Sequence, residues 1–205
     1  MEYLKLLGHL TLYWGRLAFP LFAFIAVEGY LHTSDLKKYI KRLVIFGLIS
    51  QIPFMIFRSL IDLNFMINIM FTLLLGILAI FSFDKMKNKY FGLLISIALI
   101  IIGQVINVDY GWYGVGLVFL IFITKKNRLI FFITYVFYTV LYYFMVYIRL
   151  NLHLIRHYIP YIMTSILPII LMLLYNGKQG YKIKYFYYWF YPVHMLVIYC
   201  VSKFI

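Results

Sequence analysis

The sequence has few charged residues, and very few of them are acidic. Only 12% of its 205 residues are charged and only six are Asp or Glu, whereas a soluble domain carries roughly 25% charged residues. Hydrophobic residues make up 65% of the chain, which is more apolar surface than a soluble protein of this length can bury. The scarcity of charge excludes an ordinary soluble protein and predicts a polytopic membrane protein.

Cysteine is scarce as well, and the familiar catalytic motifs are missing. The single cysteine, Cys200, excludes an intramolecular disulfide and is expected to be a small core residue. No Gly-x-Ser-x-Gly or nucleotide-hydrolysis motif occurs. His153 and His157 lack a third ligand, so we expect no metal site. Ser-, Pro- or Gly-rich linkers are also absent, which predicts one membrane domain over residues 1–205.

Long apolar stretches are what the sequence has in abundance. About 20 apolar residues in a helix cross the ~30 Å hydrocarbon core of a bilayer. The sequence therefore predicts an all-α bundle of about eight transmembrane helices, near residues 12–31, 40–58, 64–83, 90–107, 110–124, 129–149, 157–175 and 187–204.

The basic residues are distributed unevenly between the two ends of these predicted spans. The net charge of +13 is attributed to membrane topology rather than to nucleic-acid binding, because most Lys and Arg residues lie in alternate short loops. The positive-inside rule places those loops in the cytoplasm and both chain termini outside. Thirteen of the 19 basic residues lie in the loops 32–42, 84–90, 124–129 and 176–186.

Three ionisable side chains interrupt the first predicted span, although a charge at the centre of a membrane helix costs about 2.5–3.5 kcal/mol on insertion scales. Glu28 and His32 are four residues apart and share one helix face. They form either a proton-transferring pair or an interfacial pair that ends the helix. Arg16 is either a snorkelling anchor or an inward-facing partner for an acidic group such as Asp109.

Polar residues also mark the second span and the outer turns. Gln51 lies two residues before Pro53, which is expected to kink the helix, so the amide should face the bundle, where it serves either a substrate or an interhelical hydrogen bond. Asn68 and Asp109 lie at predicted outer ends of spans, where they belong either to a binding site or to tight turns.

The last span and the loop before it hold the remaining candidates. His194 follows Tyr191 and Pro192 at a depth of about 10 Å, and it serves either catalysis and substrate contact or structure. The turn at residues 175–180 is glycine-rich and basic, so its backbone N–H groups suit a phosphate, although Asn-Gly is also a common turn.

Taken together, these segments resemble the TraX family of bacterial membrane proteins. They occur in the family's order and cover nearly the whole chain. The matching residues are the runs 15–24, 28–30, 32–33, 42–43, 50–54, 109–111, 175–180 and 188–194, with Tyr39 and Asn68.

The resemblance implies a multi-pass protein of the bacterial cytoplasmic membrane that transfers an acetyl group. The family is named for a conjugation protein required to acetylate the pilin N-terminus, and it resembles membrane acyltransferases that use cytoplasmic acetyl-CoA. The expected partners are the lipid bilayer and an acetyl acceptor, which is a peptide or pilin N-terminal amine or an extracytoplasmic hydroxyl. No nucleic acid is expected.

Roles follow for the candidate residues under this hypothesis. The expected catalytic residues are His194, His32 and Glu28. The expected contacts to acetyl-CoA are Arg42, Asn176, Gly177, Lys178 and Gly180, and those to the acceptor are Arg16, Gln51, Asn68, Asp109 and Tyr191. The alternative is a non-enzymatic membrane assembly or immunity factor in which the ionisable residues are structural. A transporter is less favoured, because no inverted repeat is visible.

One departure from the family pattern concerns the start of the chain. Members usually begin with a further span that carries an Asp-His pair ahead of the Gly-Arg-x-Ala-Phe-Pro run, which here starts at Gly15. We expect either a misassigned start codon or the loss of that span, and the loss of a catalytic histidine with it would inactivate the protein.

Overall fold

Helices form the regular structure of the chain. The computed structural model describes residues 2–60, 65–149, 159–178 and 185–204. In these ranges the chain forms α1 (Glu2–His32), α2 (Leu36–Arg58), α3 (Ile69–Lys85), α4 (Lys89–Val105), α5 (Gly111–Thr124), α6 (Arg128–Arg149), α7 (Ile159–Ile166), α8 (Pro168–Leu174) and α9 (Phe186–Phe204). The described ranges hold one isolated β-bridge, Ile67 to Val108, and no longer strand. The all-α prediction is confirmed.

Most of the predicted spans coincide closely with these helices, and the seventh coincides with α7 and α8 together. The first differs most, because α1 begins ten residues before the predicted span 12–31. Two helices of the described chain are long and apolar enough to cross a membrane, Leu36–Arg58 and Arg128–Ile148. Three shorter apolar helices are Lys89–Val105, Gly111–Thr124 and Ile159–Leu174. Helix positions thus follow from hydropathy, while the total of eight membrane spans stays a prediction.

Short polar side chains begin several of the helices. Asp35 accepts a hydrogen bond from the backbone N–H of Lys38 at the start of α2, and Asn88 accepts two at the start of α4. Such caps satisfy N–H groups that have no partner inside the helix. Pro168 has no N–H to continue the preceding helix, so α7 ends and α8 begins at that point.

One compact unit comprises Met1–Glu28 and Leu117–Gly177. In it, Ser165 of α7 holds α6 through two tyrosines. Its hydroxyl lies 2.7 Å from the hydroxyl of Tyr143, and its carbonyl accepts a hydrogen bond from Tyr135 at 2.5 Å. Phe24 of α1 packs against Phe131 and edge-on against Tyr175. Tyrosine hydroxyls therefore supply the polar contacts of an otherwise aromatic core.

The second compact unit comprises Gly29–Gly116 and Lys178–Ile205. In it, α2 packs against both α3 and α9, and α3 forms an antiparallel hairpin with α4. The hairpin is close because Gly92 has no side chain, and a Cβ there would lie 2.8 Å from the carbonyl oxygen of Ser82. The buried hydroxyl of Ser96 donates to the carbonyl of Ala79 across the same contact.

Many large apolar side chains remain on the outside of the helices. Ile52 of α2 is 71% exposed, Val105 of α4 is 77% exposed and Phe137 of α6 is 67% exposed. An exterior of this kind is normally covered by lipid or by another protein.

Candidate functional site

A network of amide side chains joins α2 to the start of α3. Asn68 is fully buried and caps α3 by accepting from the backbone N–H of Met70. Its Nδ2 donates to the Gly47 carbonyl at 2.7 Å and to Oε1 of Gln51 at 2.8 Å. Gln51 in turn donates from Nε2 to the carbonyl of Met66. Gln51 therefore faces the helix bundle, as its sequence context predicted, while the substrate roles of both residues stay predictions.

The turn before α5 is hydrogen-bonded to α3 and to the residues just before it. Ile67 accepts a hydrogen bond from the backbone N–H of Asp109 at 2.7 Å, and the Thr72 hydroxyl donates to the Asp109 carbonyl at 2.6 Å. Asn107 and Tyr110 adopt positive φ angles of 58° and 63°, which non-glycine residues rarely do. The backbone of Asp109 is thus fixed tightly beside the start of α3, and its predicted substrate role stays a prediction.

Two hydroxyl groups near this network are buried without a hydrogen bond in the described part of the chain, those of Ser50 and Tyr191. Tyr191 belongs to α9 and is 5% exposed. Its oxygen lies near the backbone N–H of Ile69, the first residue of α3, and within electrostatic range of Asp109. The structure thus places Tyr191, predicted from the sequence as a substrate contact, close to the start of α3.

An arginine lies one turn nearer to the basic loops. The side chain of Arg42 hydrogen-bonds to Tyr188 of α9, and Tyr39 lies beside both. The ring of Phe46 stacks on that of Tyr188 with centroids 4.9 Å apart. Tyr39 and Tyr188 were not singled out as site residues by sequence reasoning. The signal for Tyr188 was its spacing of three residues from Tyr191, which places both on one side of a helix.

His194 lies one turn beyond Tyr191 in α9 and is half-buried. Its Nδ1 is 2.8 Å from the carbonyl oxygen of Phe190, and its ring stacks on Phe190 with centroids 5.0 Å apart. A carbonyl oxygen only accepts hydrogen bonds, so we assign the proton of the neutral ring to Nδ1. Nε2 then carries the lone pair, which is the arrangement that a general base requires.

Glu28 and His32 are the other predicted acid–base pair. In the first unit, Glu28 has an ion-pair partner from a distant part of the chain. The carboxylate of Glu28 forms an ion pair with Lys125, whose ammonium also lies 5.6 Å from the ring centroid of Phe24. His32 is exposed in the last turn of α1. The contact with Lys125 could not be predicted from the sequence, because Lys125 is 97 residues from Glu28 and local spacing gives no information about contacts between distant residues.

Arg16 lies in an aromatic environment in the same unit. Its guanidinium carbon is 5.8 Å from the ring centroid of Tyr143 and 5.9 Å from that of Tyr161. Such cation–π geometry stabilises a charge inside an apolar structure. One tyrosine of the predicted sixth span and one of the predicted seventh are thus partners of this arginine, and the role of Arg16 in acceptor binding stays a prediction.

The glycine-rich turn is exposed where the structure describes it. Asn176, Gly177 and Lys178 lie on the surface, and Gly177 has a φ of 74°. Gly180, Asn64, His153 and His157 lie outside the described residues.

Comparison with known proteins identifies the family. The family described as "TraX protein" matches residues 3–202. This chain belongs to the TraX family. A relative from Dichelobacter nodosus, named "Probable fimbrial assembly protein FimC, serogroup H1", is 30% identical over 203 residues, which cover 92% of this chain and 81% of the relative. No solved structure matches the chain. The predicted resemblance to the TraX family is therefore confirmed.

Proposed function

We propose that this TraX-family protein is a multi-pass enzyme of the bacterial cytoplasmic membrane that acetylates a component of a pilus or fimbria. The observation that carries the proposal is the order of side chains along α9. Tyr188 with Arg42 comes first, Tyr191 second and His194 third, each about one turn apart. An anion contact, a buried polar position and a base thus follow one another along a single helix.

The membrane location is supported by the apolar exterior and by the two long apolar helices. Basic residues mark the first turn of α2, where Lys37 and Lys38 are exposed. Positive charge on one side of a membrane protein is typical of its cytoplasmic face.

Acetyl-CoA is the proposed donor, and it approaches from this basic face. It supplies an acetyl thioester and several phosphate charges. Lys37, Lys38 and Lys178 attract those charges over a distance, and Arg42 binds one of them directly. Tyr188 holds the guanidinium of Arg42 in place.

His194 is the proposed base. Its Nε2 takes a proton from the acceptor amine while the amine nitrogen attacks the thioester carbon. The C–S bond then breaks, and the departing thiolate receives that proton from His194. The products are an N-acetylated acceptor and CoA, so the histidine ends in its starting state. Gln51, Asn68 and Asp109 lie near the far end of this path and are assigned to the acceptor.

The family and one relative support the choice of acceptor class. One relative carries the name of a fimbrial assembly protein, and the family is named for acetylation of a pilin. We therefore propose the N-terminal amine of a pilin-like peptide as the acceptor, with an extracytoplasmic hydroxyl as the second choice.

A non-enzymatic assembly factor is the competing function, and one observation favours it. Gln51 and Asn68 make hydrogen bonds to the backbone, and Glu28 pairs with Lys125. These contacts stabilise the fold without any substrate, as a purely structural role of the side chains requires.

The enzyme and the assembly factor can be distinguished in a strain that lacks the gene and is complemented with the wild type or with a variant. The wild type and Val193→Ala, an exposed neighbour in α9, should restore N-terminal acetylation of secreted and pilus peptides, measured by mass spectrometry. His194→Ala should restore protein levels in the membrane but no acetylation. Equal acetylation with and without the gene would refute the enzyme and leave the assembly factor.

A further inference from the structure

The hydroxyl groups of Ser50 and Tyr191 differ from the others in the described helices. A helical serine or threonine normally bonds to a carbonyl of the preceding turn. Examples in the described helices are Ser82, Ser96, Thr124, Thr134, Thr164 and Ser202. Ser50 is fully buried but its hydroxyl makes no such bond. A buried polar group without a partner is unfavourable, so this position is suited to a group that the chain itself does not supply.

The two hydroxyls lie at one level of the bundle. Phe46 and Tyr188 stack 4.9 Å apart, and Ser50 and Tyr191 each lie about one turn further along their helices. Both of those turns lead to the start of α3. Gln51, next to Ser50, accepts from the backbone N–H of Asn68, while Tyr191 lies at the backbone N–H of Ile69.

The surroundings of Tyr191 make it a donor. Because the backbone N–H of Ile69 lies near the tyrosine oxygen and the hydroxyl has no hydrogen bond in the described chain, its hydrogen is available to an acceptor on a bound ligand. The N-terminus of α3 adds the positive end of a helix dipole. The charged group that faces Tyr191 from the neighbouring turn is Asp109. Its negative charge favours an approaching amine or ammonium group near Tyr191.

We propose that Ser50 and Tyr191 together bind the carbonyl oxygen of the acyl group that is transferred. This inference rests on the proposed acetyl transfer and names the subsite for its reacting carbonyl. When the amine nitrogen attacks the carbonyl carbon, negative charge develops on the oxygen, and the two hydroxyls donate hydrogen bonds to it. The charge returns to the carbonyl as the C–S bond breaks, and His194 carries the proton from nitrogen to sulfur. Donors fixed in a buried site stabilise such charge far more than water does.

Two variants remove the oxygens and nothing else, Ser50→Ala and Tyr191→Phe. Each should lower the rate of acetyl transfer by about 100-fold or more, while affinity for CoA without an acetyl group stays at the wild-type value. Thermal unfolding in detergent should be unchanged or shifted upward, because each change removes an unpaired buried group. Matched controls are Ser96→Ala and Tyr135→Phe, whose hydroxyls are already bonded inside the protein.

A spectroscopic measurement reports on the contact without turnover. With acetyl-CoA labelled with carbon-13 at the carbonyl, the bound C=O stretch should lie at lower frequency in the wild type than in the double variant. If wild type and double variant bind acetyl-CoA with the same carbonyl frequency, the subsite is wrong while the proposed function stands. If the wild type does not bind acetyl-CoA at all, both are overturned. An altered melting temperature with an unaltered transfer rate would show that the hydroxyls hold only a buried water, which also overturns the subsite.

Discussion

Two kinds of polar residue meet at the start of α3. Asn68 and Gln51 are bonded to the backbone on several sides, so they fix the positions of α2 and α3. The hydroxyl groups of Ser50 and Tyr191 are buried without a hydrogen bond in the described chain. The bonded amides fix the helix positions, and the unbonded hydroxyls are available to bind a substrate.

Asn68 is predicted to be essential for stability. Asn68→Ala removes the α3 cap and the side-chain donor to the Gly47 carbonyl and to Oε1 of Gln51, so we expect a loss of about 2–4 kcal/mol. The measurement is unfolding in detergent. Asn88→Ala removes only an exposed cap and should cost about 1 kcal/mol. Equal losses in the two variants would show that the buried network contributes nothing.

Sequence reasoning at this scale worked where a residue's own context is informative. A glutamine next to a proline in an apolar span was expected to face the bundle, and Gln51 does. The partners of Glu28 and Arg16 could not be predicted in the same way, because Lys125 and Tyr143 approach them from distant parts of the chain. Ser50 was not singled out, since its unusual feature is the absence of a bond that only coordinates reveal.

At the scale of helices, hydropathy located the elements and capping residues fixed their ends. The predicted span 90–107 coincides with α4, and the predicted 129–149 with α6. The break between α7 and α8 was not predicted, although Pro168 carries its physical cause. The close hairpin of α3 and α4 also depends on a contact between distant residues.

Gly92 is predicted to set the distance within that hairpin. In Gly92→Ala the new Cβ lies 2.8 Å from a backbone oxygen, and backbone cannot move aside as a side chain can. We expect a loss of about 1–3 kcal/mol, measured by thermal unfolding. Gly15→Ala is the control, because nothing lies within 4 Å of its Cβ, and it should stabilise α1 slightly. Stabilisation by both substitutions would contradict the described packing.

The start of α2 is predicted to depend on pH through Asp35. The backbone N–H and the ammonium group of Lys38 hold the pKa of the Asp35 carboxyl below its usual value. A lowered pKa in the folded state means that the stabilisation is present above the unfolded pKa and is lost as the pH falls. Asp35→Asn keeps an acceptor for the cap but does not titrate, so its melting temperature should fall less than that of the wild type on acidification. A parallel fall in both proteins would exclude the role of this carboxylate.

At the scale of the whole molecule, the chain consists of two compact units with an apolar exterior. Composition alone predicted a membrane protein, and the two long apolar helices support that assignment. Composition could not divide the chain into these units, because packing between distant helices defines them.

Membrane topology is predicted from the basic loops. In a Cys200→Ala background, a cysteine introduced at Lys87 or Lys126 should be protected from an impermeant maleimide added outside intact cells. A cysteine introduced at Ser59, an exposed residue just beyond α2, should be labelled. All three should react after permeabilisation. Labelling of Lys87→Cys in intact cells would overturn the assigned orientation.

Acetyl transfer through His194 is the central claim, and the most direct test uses purified protein in lipid nanodiscs with labelled acetyl-CoA and a pilin-like peptide that has a free N-terminus. We expect labelled peptide from the wild type and from Val193→Ala. His194→Ala should transfer at least about 100-fold more slowly, because a positioned base contributes 10²–10⁴-fold, and it should retain acetyl-CoA binding. Equal transfer by the wild type and His194→Ala would contradict the account, as would failure of the wild type to label any acceptor.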